Sequence, residues 1–315
     1  MNAEPRQDDV PTGLVDRIVA APLSEMPPDL LAELTDAGLD PVLAHADVVA
    51  ALAEDLPGDD VTSWATIPAA DAATADFVAR ADGTLAGLAV AELVFRHVLG
   101  ADVELSRPVP DGTRVRRGDV LLSVTGGTAL LLTAERTALN YACHASGVAT
   151  ATAAWVSALA GTSARVRDTR KTTPGFRLLD KYAVRCGGGV NHRTSLSDMA
   201  LIKDNHVLAS GGVVAAYERV RARYPEVPVQ VEVTTLEQLD ELLAVGAPEV
   251  LLDNMDPEQM AEAVRRSAGR TRLEASGGLT LETAATVAAT GVDFIAVGAL
   301  THSAPVLDIA MDLRP

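Results

Sequence analysis

Arg170-Lys171, His192-Arg193 and Lys203 are the residues whose types and spacing first suggest chemistry. They lie in a segment, 165–206, that carries six arginines and three lysines against four aspartates, a local excess of five positive charges in a chain whose formal net charge is −17. So local a positive field suits a small anionic ligand held in a pocket. The chain has only three lysines, Lys171, Lys181 and Lys203, and all fall inside this island. Lysine is a compact point charge and arginine a planar fork, so a site that uses both resists exchanging one for the other. A solvated charged face is the competing reading of the same cluster.

Other polar residues stand where short apolar runs end. Glu232 and Asp253 close two successive runs, and such carboxylates can hold ribose hydroxyls or Mg²⁺, or serve as partners for nearby cations. Ser276-Gly277-Gly278 closes a third and precedes a helical pattern near Leu281; backbone N–H groups there, with a helix amino end, can cradle a phosphate. Gly298-Ala299 closes the next, and barrel phosphate sites are often built from the last two such loops. Gly187-Gly188-Gly189 precedes His192 and offers a loop able to bend over a ligand. The remaining histidines show no HExxH or Cys/His ligand spacing, and no serine nucleophile elbow is present. A lysine at a strand end could also form a Schiff base, the main rival chemistry.

These residues need a scaffold that brings strand ends together. Apolar strands are expected at Ala164–Val166, Ala200–Ile202, Val229–Val233, Val250–Leu252, Arg272–Ala275 and Phe294–Val297, with helices at Leu236–Ala244, Pro257–Ala268 and Leu281–Thr290. That spacing suits βα units on a parallel sheet, as a barrel or near-barrel, whose carboxyl edge collects the chemistry. No GxGxxG follows the first strand, against a dinucleotide fold. The earlier half reads as α+β with an antiparallel sheet: strands near Phe77, Val103–Ser106 and Asp119–Val124, then helices at Leu130–Ala145 and Ala149–Leu159. Leu307, Ile309, Met311 and Leu313 alternate with polar or small residues, predicting a last strand with one buried face that returns to the first sheet.

Composition narrows the class further. The 315 residues, 48% hydrophobic and 22% charged, can bury a full core without a metal or disulfide staple, and the excess of acids repels a nucleic-acid backbone. Ten aromatics are too few for a base-stacking platform. Two cysteines without ligand spacing suit a reducing cytosol, and the acidic start lacks the apolar core of a signal peptide. The uncharged run 145–164 is long enough to span a bilayer, but eight of its 20 residues are Ser, Thr or Gly, which predicts a packed soluble helix. A cytoplasmic protein that binds neither membrane nor nucleic acid is expected.

Taken in order, several motifs resemble the quinolinate phosphoribosyltransferase family: Glu135-Arg-Thr-Ala-Leu-Asn140, Thr169-Arg-Lys-Thr-Thr-Pro-Gly-Phe-Arg177, Gly187-Gly-Gly-Val-Asn-His-Arg193, Leu201-Ile-Lys-Asp-Asn-His206, Val231-Glu-Val233, Leu252-Asp-Asn254, Glu274-Ala-Ser-Gly-Gly278 and Val297-Gly-Ala-Leu-Thr301. The resemblance covers roughly residues 30–313. It implies an α/β protein with an N-terminal α+β sandwich domain followed by an incomplete seven-stranded α/β, TIM-like barrel. The expected organisation is an arm at 1–28, a sandwich at 29–144 to which 306–315 returns, and a catalytic barrel at 145–305. The implied reaction joins quinolinate to phosphoribosyl pyrophosphate with Mg²⁺, releasing pyrophosphate and CO₂ to give nicotinate mononucleotide. By resemblance, Arg136 reaches from the partner subunit of a homodimer and, with Arg170, His192 and Arg193, holds quinolinate; Thr169 is a further substrate-binding residue. Lys171 and Lys203 meet both substrates, Glu232 and Asp253 address ribose and Mg²⁺, directly or through water, and Ser276, Gly277, Gly278, Gly298 and Ala299 hold the 5′-phosphate. The alternatives are a molybdenum-transport-associated relative with another anionic acceptor, or a non-catalytic anion-binding barrel.

Overall fold

The computed structural model describes residues 21–100 and 103–314, in two compact units, one of residues 1–150 with 305–315 and one of 151–304. The expected arm lies mostly outside the described residues. Its last part is packed: Leu23–Glu25 make a 3-10 turn and Met26 is buried.

In the first unit, helices α1 (Pro28–Asp36), α2 (Pro41–Asp55) and α3 (Val61–Thr66) precede strand β1 (Ala72–Ala79). Asp40 and Asp60 cap α2 and α3 through side-chain oxygens that accept from Val42 N and Ser63 N. Strand β2 (Gly83–Thr84), helix α4 (Leu88–Leu99), and strands β3 (Glu104–Ser106), β4 (Arg114–Val115) and β5 (Val120–Gly127) follow. The main sheet runs β12-β1-β5-β3, where β12 is the last strand, Ile309–Leu313, antiparallel to β1 from Ala79↔Ile309 to Ala75↔Leu313. The expected buried face of that strand fades outward: Leu307 and Ile309 are buried, while Leu313 is exposed at the sheet edge. Phe77 and Phe95 meet edge to face at 5.5 Å between β1 and α4, each fully buried.

Helix α5 is one continuous element, Thr128–Ala158, where two were expected. Gly147 does not break it. A Cβ there would stand 2.3 Å from the carbonyl oxygen of Pro305, so the glycine permits close approach of the returning chain within a helix that tolerates it. Among the described residues no helix is long and apolar enough to cross a membrane.

The second unit alternates strands β6 (Arg165–Arg167), β7 (Ala200–Ile202), β8 (Val229–Val233), β9 (Glu249–Asp253), β10 (Arg272–Ser276) and β11 (Phe294–Ala296) with helices α6 (Arg177–Cys186), α7 (Asp204–Ser210), α8 (Val213–Arg223), α9 (Leu236–Ala244), α10 (Pro257–Ser267), α11 (Leu281–Ala288) and α12 (Ala299–His302). All pairings are parallel, in the order β6-β11-β10-β9-β8-β7. The seventh stave is a single parallel bridge, Arg167↔Val190, outside β6. It does not extend because Gly187, Gly188 and Gly189 precede it and the cation-bearing turn follows it at once. Apolar residues such as Val231, Val250, Leu252, Ala275 and Ile295 fill the sheet at full burial, and their carboxyl ends deliver the polar residues to one edge.

Candidate active site

Strand register places the carboxylates and lysines. Ile202 pairs with Val231 on β8, so Lys203, the next residue, stands beside Glu232, with Nζ 3.7 Å from Oε2. Ser276 pairs with Asp253 across β9 and β10. Burial raises the Glu232 carboxyl above its usual range; Asp253 and Asp204 add repulsion, while Lys203 pulls it back. After Asp253 the chain turns through Asn254, whose φ of 54° is left-handed. Its backbone N–H donates to Ser276 O at 2.9 Å and its Nδ2 to Asp253 Oδ2 at 2.9 Å. Gly277 lies so close that a Cβ would fall 2.2 Å from Asn254 Oδ1. The Leu252-Asp-Asn254 and Ser276-Gly-Gly278 motifs are therefore two halves of one packed corner. Gly278 is left open, with nothing within 4 Å of a Cβ.

Lys171 is positioned by its backbone. Its N–H donates to Thr169 Oγ1 at 3.0 Å, and its carbonyl accepts from Thr301 Oγ1 at 2.9 Å. The side chain crosses Gly298, where a Cβ would meet Lys171 Cδ at 3.0 Å, His302 Nε2 at 3.3 Å and Thr169 Oγ1 at 3.5 Å. Gly298 thus gives Lys171 its path, and Ala299 opens the short helix α12 beyond it. Thr301 closes the Val297-Gly-Ala-Leu-Thr301 motif and His302 follows it, but nothing in their spacing marks a residue that works by touching Lys171.

The charge of Arg170 acts on Arg193. Burial and the charge of Arg170 both hold the Arg193 guanidinium below its usual range, and Arg170 Nε is buried without a hydrogen-bond partner. Arg193 Nη1 donates to Met199 O at 2.9 Å, and Arg177 spans Thr172 Oγ1 and Thr194 O. Among the described residues no carboxylate lies within ion-pair distance of Arg170, Lys171, Arg177 or Arg193. Asp198 offsets part of the charge on Arg193, whereas the buried, unbonded Nε of Arg170 is costly unless a ligand supplies an acceptor.

His192 is buried at 9% exposure, and both ring nitrogens are occupied. Nδ1 accepts the Arg193 N–H at 2.7 Å, which leaves the proton on Nε2 for Gln230 Oε1 at 2.8 Å. Desolvation holds the imidazole below its usual 6.5, hence neutral. Gln230 in turn donates to Glu249 Oε1, and Arg167 bridges Glu249 and Glu274 at 2.7 and 2.6 Å under the Phe294 ring. His192 therefore joins the site from a buried polar network.

Two parts of the island turn out structural. Lys181, placed there by sequence without a role, is 2% exposed, with Nζ 2.6 Å from Asp168 Oδ1. Removing one partner of such a pair costs about 3–5 kcal/mol. The triple glycine is no ligand loop. Gly188 leaves α6 at φ +87°, and a Cβ on Gly189 would stand 2.8 Å from both Thr152 Cγ2 and Val184 Cγ1, so the run serves close packing.

Arg136 lies in the first unit, exposed on α5, and lines a groove with Asp55, Asp59, Asp60 and Thr133. Residues just after it pack inward: Tyr141 donates its hydroxyl to Asp47 O, and Ser146 bonds Ala86.

Residues 60–146 match the family described as quinolinate phosphoribosyl transferase, N-terminal domain, and 148–312 match its C-terminal domain. The chain belongs to the quinolinate phosphoribosyltransferase family. A carboxylating nicotinate-nucleotide pyrophosphorylase of Mycobacterium leprae is 54% identical over 268 residues, covering 84% of this chain and 94% of that protein. The structure of the nicotinate-nucleotide pyrophosphorylase from Francisella tularensis is similar at a TM-score of 0.84 and 33% identity, covering 95% and 99% of the two chains. NadC from Streptococcus pyogenes is similar at 0.82 and 39%, covering 90% and 98%. As in those family members, an N-terminal α/β unit precedes a parallel-sheet unit.

Proposed function

We propose that this phosphoribosyltransferase joins quinolinate to phosphoribosyl pyrophosphate and releases pyrophosphate and CO₂, giving nicotinate mononucleotide for NAD biosynthesis. The observation that carries the reading is that Arg170, Lys171 and Arg193 have no carboxylate within ion-pair distance among the described residues, with Arg170 Nε buried and unbonded, in a family named for quinolinate, a doubly charged pyridine.

Both substrates are polyanions, and cations in a partly buried site turn their mutual repulsion into attraction. Arg170 and Arg193 take the quinolinate carboxylates, with neutral His192 fixing the Arg193 backbone through Nδ1. Lys171 and Lys203 stand where both substrates meet. As the bond from ribose C1 to pyrophosphate breaks, the carboxylates of Glu232 and Asp253 offset the positive charge that develops on the sugar. The pyridine nitrogen forms the new bond to that carbon, so no protein nucleophile is required. The cationic ring then accepts the electron pair of the adjacent C–C bond, CO₂ leaves, and the ring carbon takes a proton. Positioning and electrostatics do the work. Ser276, Gly277, Gly278, Gly298 and Ala299 line the strand-end turns assigned to the sugar phosphate.

Glu232 and Asp253 suit Mg²⁺ as oxygen donors at neighbouring strand ends, because their mutual repulsion is what a divalent cation relieves. Bound there, Mg²⁺ would draw charge from the diphosphate. We assign the working form to a cytoplasmic homodimer in which Arg136 of the partner subunit completes the quinolinate site: Arg136 is exposed on α5 and belongs to the Glu135-Arg-Thr-Ala-Leu-Asn140 motif that resembles the family's.

A coupled assay with quinolinate, nicotinate and nicotinamide, each with phosphoribosyl pyrophosphate and Mg²⁺, tests the reading. Product is expected from quinolinate alone. Product from nicotinate and none from quinolinate would overturn it.

A further inference from the structure

The buried pair Asp168–Lys181 touches neither Arg170 nor Lys171, yet it is bonded to every segment that carries a cation of the site from the first turn of the barrel. Asp168 directly follows β6 and leads into Thr169-Arg170-Lys171. Its Oδ1 accepts from Lys181 Nζ at 2.6 Å and from the backbone N–H of His192 at 2.7 Å, while Oδ2 accepts from Asn191 Nδ2 at 2.6 Å. Lys181 Nζ also donates to His192 O at 2.9 Å, and Asn191 Nδ2 to Lys181 O at 2.8 Å. One carboxylate and one ammonium, 0% and 2% exposed, thereby tie together the strand end, α6 and the Val190–Arg193 segment. That segment has no sheet ladder to hold it: Val190 makes the single bridge to Arg167.

We infer that Asp168 and Lys181, with Asn191, are positioning residues that set the distance between the Arg170-Lys171 turn and the His192-Arg193 turn, and so the spacing of the dicarboxylate clamp. Two guanidiniums that repel each other need such a brace, because without an anion between them the turns would drift apart. An asparagine at 168 fails as a brace. Its single oxygen can serve Lys181 and His192, but its amide nitrogen then meets the Asn191 amide, donor against donor. The inference rests on the proposed use of Arg170 and Arg193 for quinolinate, and its test has one arm that does not.

Two variants serve: Asn191→Ala, which removes one partly exposed link, and Asp168→Asn/Lys181→Met, which removes both buried charges together and leaves neither unpaired. The first arm is amide hydrogen exchange in the absence of substrate. Segments 169–173 and 191–194 are expected to exchange at least tenfold faster in the double variant and by a smaller factor in Asn191→Ala, with exchange in β8 to β10 unchanged. Unchanged exchange in both segments would overturn the brace whatever the enzyme's substrate proves to be, and so would equal acceleration throughout the barrel, the mark of a merely destabilised fold. The second arm is kinetic. The KM for quinolinate should rise roughly tenfold to a hundredfold, the scale for misplacing a binding group by about an ångström, with a smaller rise for phosphoribosyl pyrophosphate. Equal rises for both substrates would overturn the assignment to the clamp. Wild-type protein that ignores quinolinate while the exchange result holds would count against the functional reading alone.

Discussion

The barrel unit uses arginine, lysine and carboxylate twice, a few residues apart, to opposite ends. Beneath the site Arg167 is held by Glu249 and Glu274, and Lys181 by Asp168, at distances of 2.6–2.7 Å. At the rim Arg170, Lys171 and Arg193 have no carboxylate within ion-pair reach among the described residues, and Arg170 keeps a buried Nε without a hydrogen-bond partner. The lower set pairs each cation with a carboxylate and fixes the backbone, although Arg167 Nε and Glu274 Oε1 are themselves buried without a hydrogen-bond partner. The upper set is left without carboxylate partners, which under the proposed function an anionic substrate supplies. Charge type does not separate the two sets; partnership does.

The largest effect should come from breaking the upper set where it meets both substrates. Lys171→Ala is expected to lower kcat/KM on the order of 10³-fold, the scale of losing a group that stabilises transition-state charge, while thermal unfolding stays unchanged because the side chain is exposed and ion-pairs with nothing described. Arg136→Ala should be as damaging in the assay. If the site is shared between subunits, mixing the two inactive variants under conditions of subunit exchange restores part of the activity, and no recovery with exchange demonstrated would refute sharing.

A smaller effect should follow from crowding the path of Lys171 without touching its charge. Gly298 has φ −68°, which alanine adopts freely, so Gly298→Ala carries no backbone strain. Its methyl would press on Lys171 Cδ at 3.0 Å and His302 Nε2 at 3.3 Å, and the flexible lysine must yield. About a tenfold loss in kcat/KM is expected with stability intact; wild-type kinetics would show that Lys171 does not need the glycine.

Much of this was legible in the strand pattern. Val229–Val233 and Ala200–Ile202 stand where apolar runs bounded by polar residues place them, and Lys203, Glu232, Asp253 and Ser276 reach one edge because parallel strands end together. The lower set was not legible. Lys181 and Lys171 are the same residue ten positions apart, and only burial and the Asp168 contact tell brace from ligand. Gly147 and Gly189 misled for a related reason: each exists for a neighbour distant in sequence, the Pro305 carbonyl in one case and the Thr152 methyl in the other. Local pattern reads what a residue does to its own segment, whereas these residues act on another.

The subtlest contrast lies within the rim, between Glu232 and the lysine beside it. Burial, with Asp253 and Asp204 in support, raises the Glu232 carboxyl above the usual 4.5, and Lys203 works the other way. The sign follows: the folded protein keeps this proton at a pH where the unfolded chain has lost it. The group therefore favours the folded state below pH 4.5 and loses that contribution as pH rises through the raised value. Under the proposed role of Glu232, catalysis runs in the opposite sense, because only the ionised form can offset positive charge on the ribose, so kcat/KM is expected to fall on the acid side at a pH above 4.5. A carboxyl-labelled NMR titration of the substrate-free enzyme measures the group directly. Asp253→Asn, which removes a repelling charge, should shift the Glu232 midpoint down, and Lys203→Met, which removes the attracting one, should shift it up. Shifts of the opposite sign would mean that Glu232 takes its proton affinity from other neighbours, and that the strand-end pair is not the electrostatic unit that the β8–β9 register makes of it.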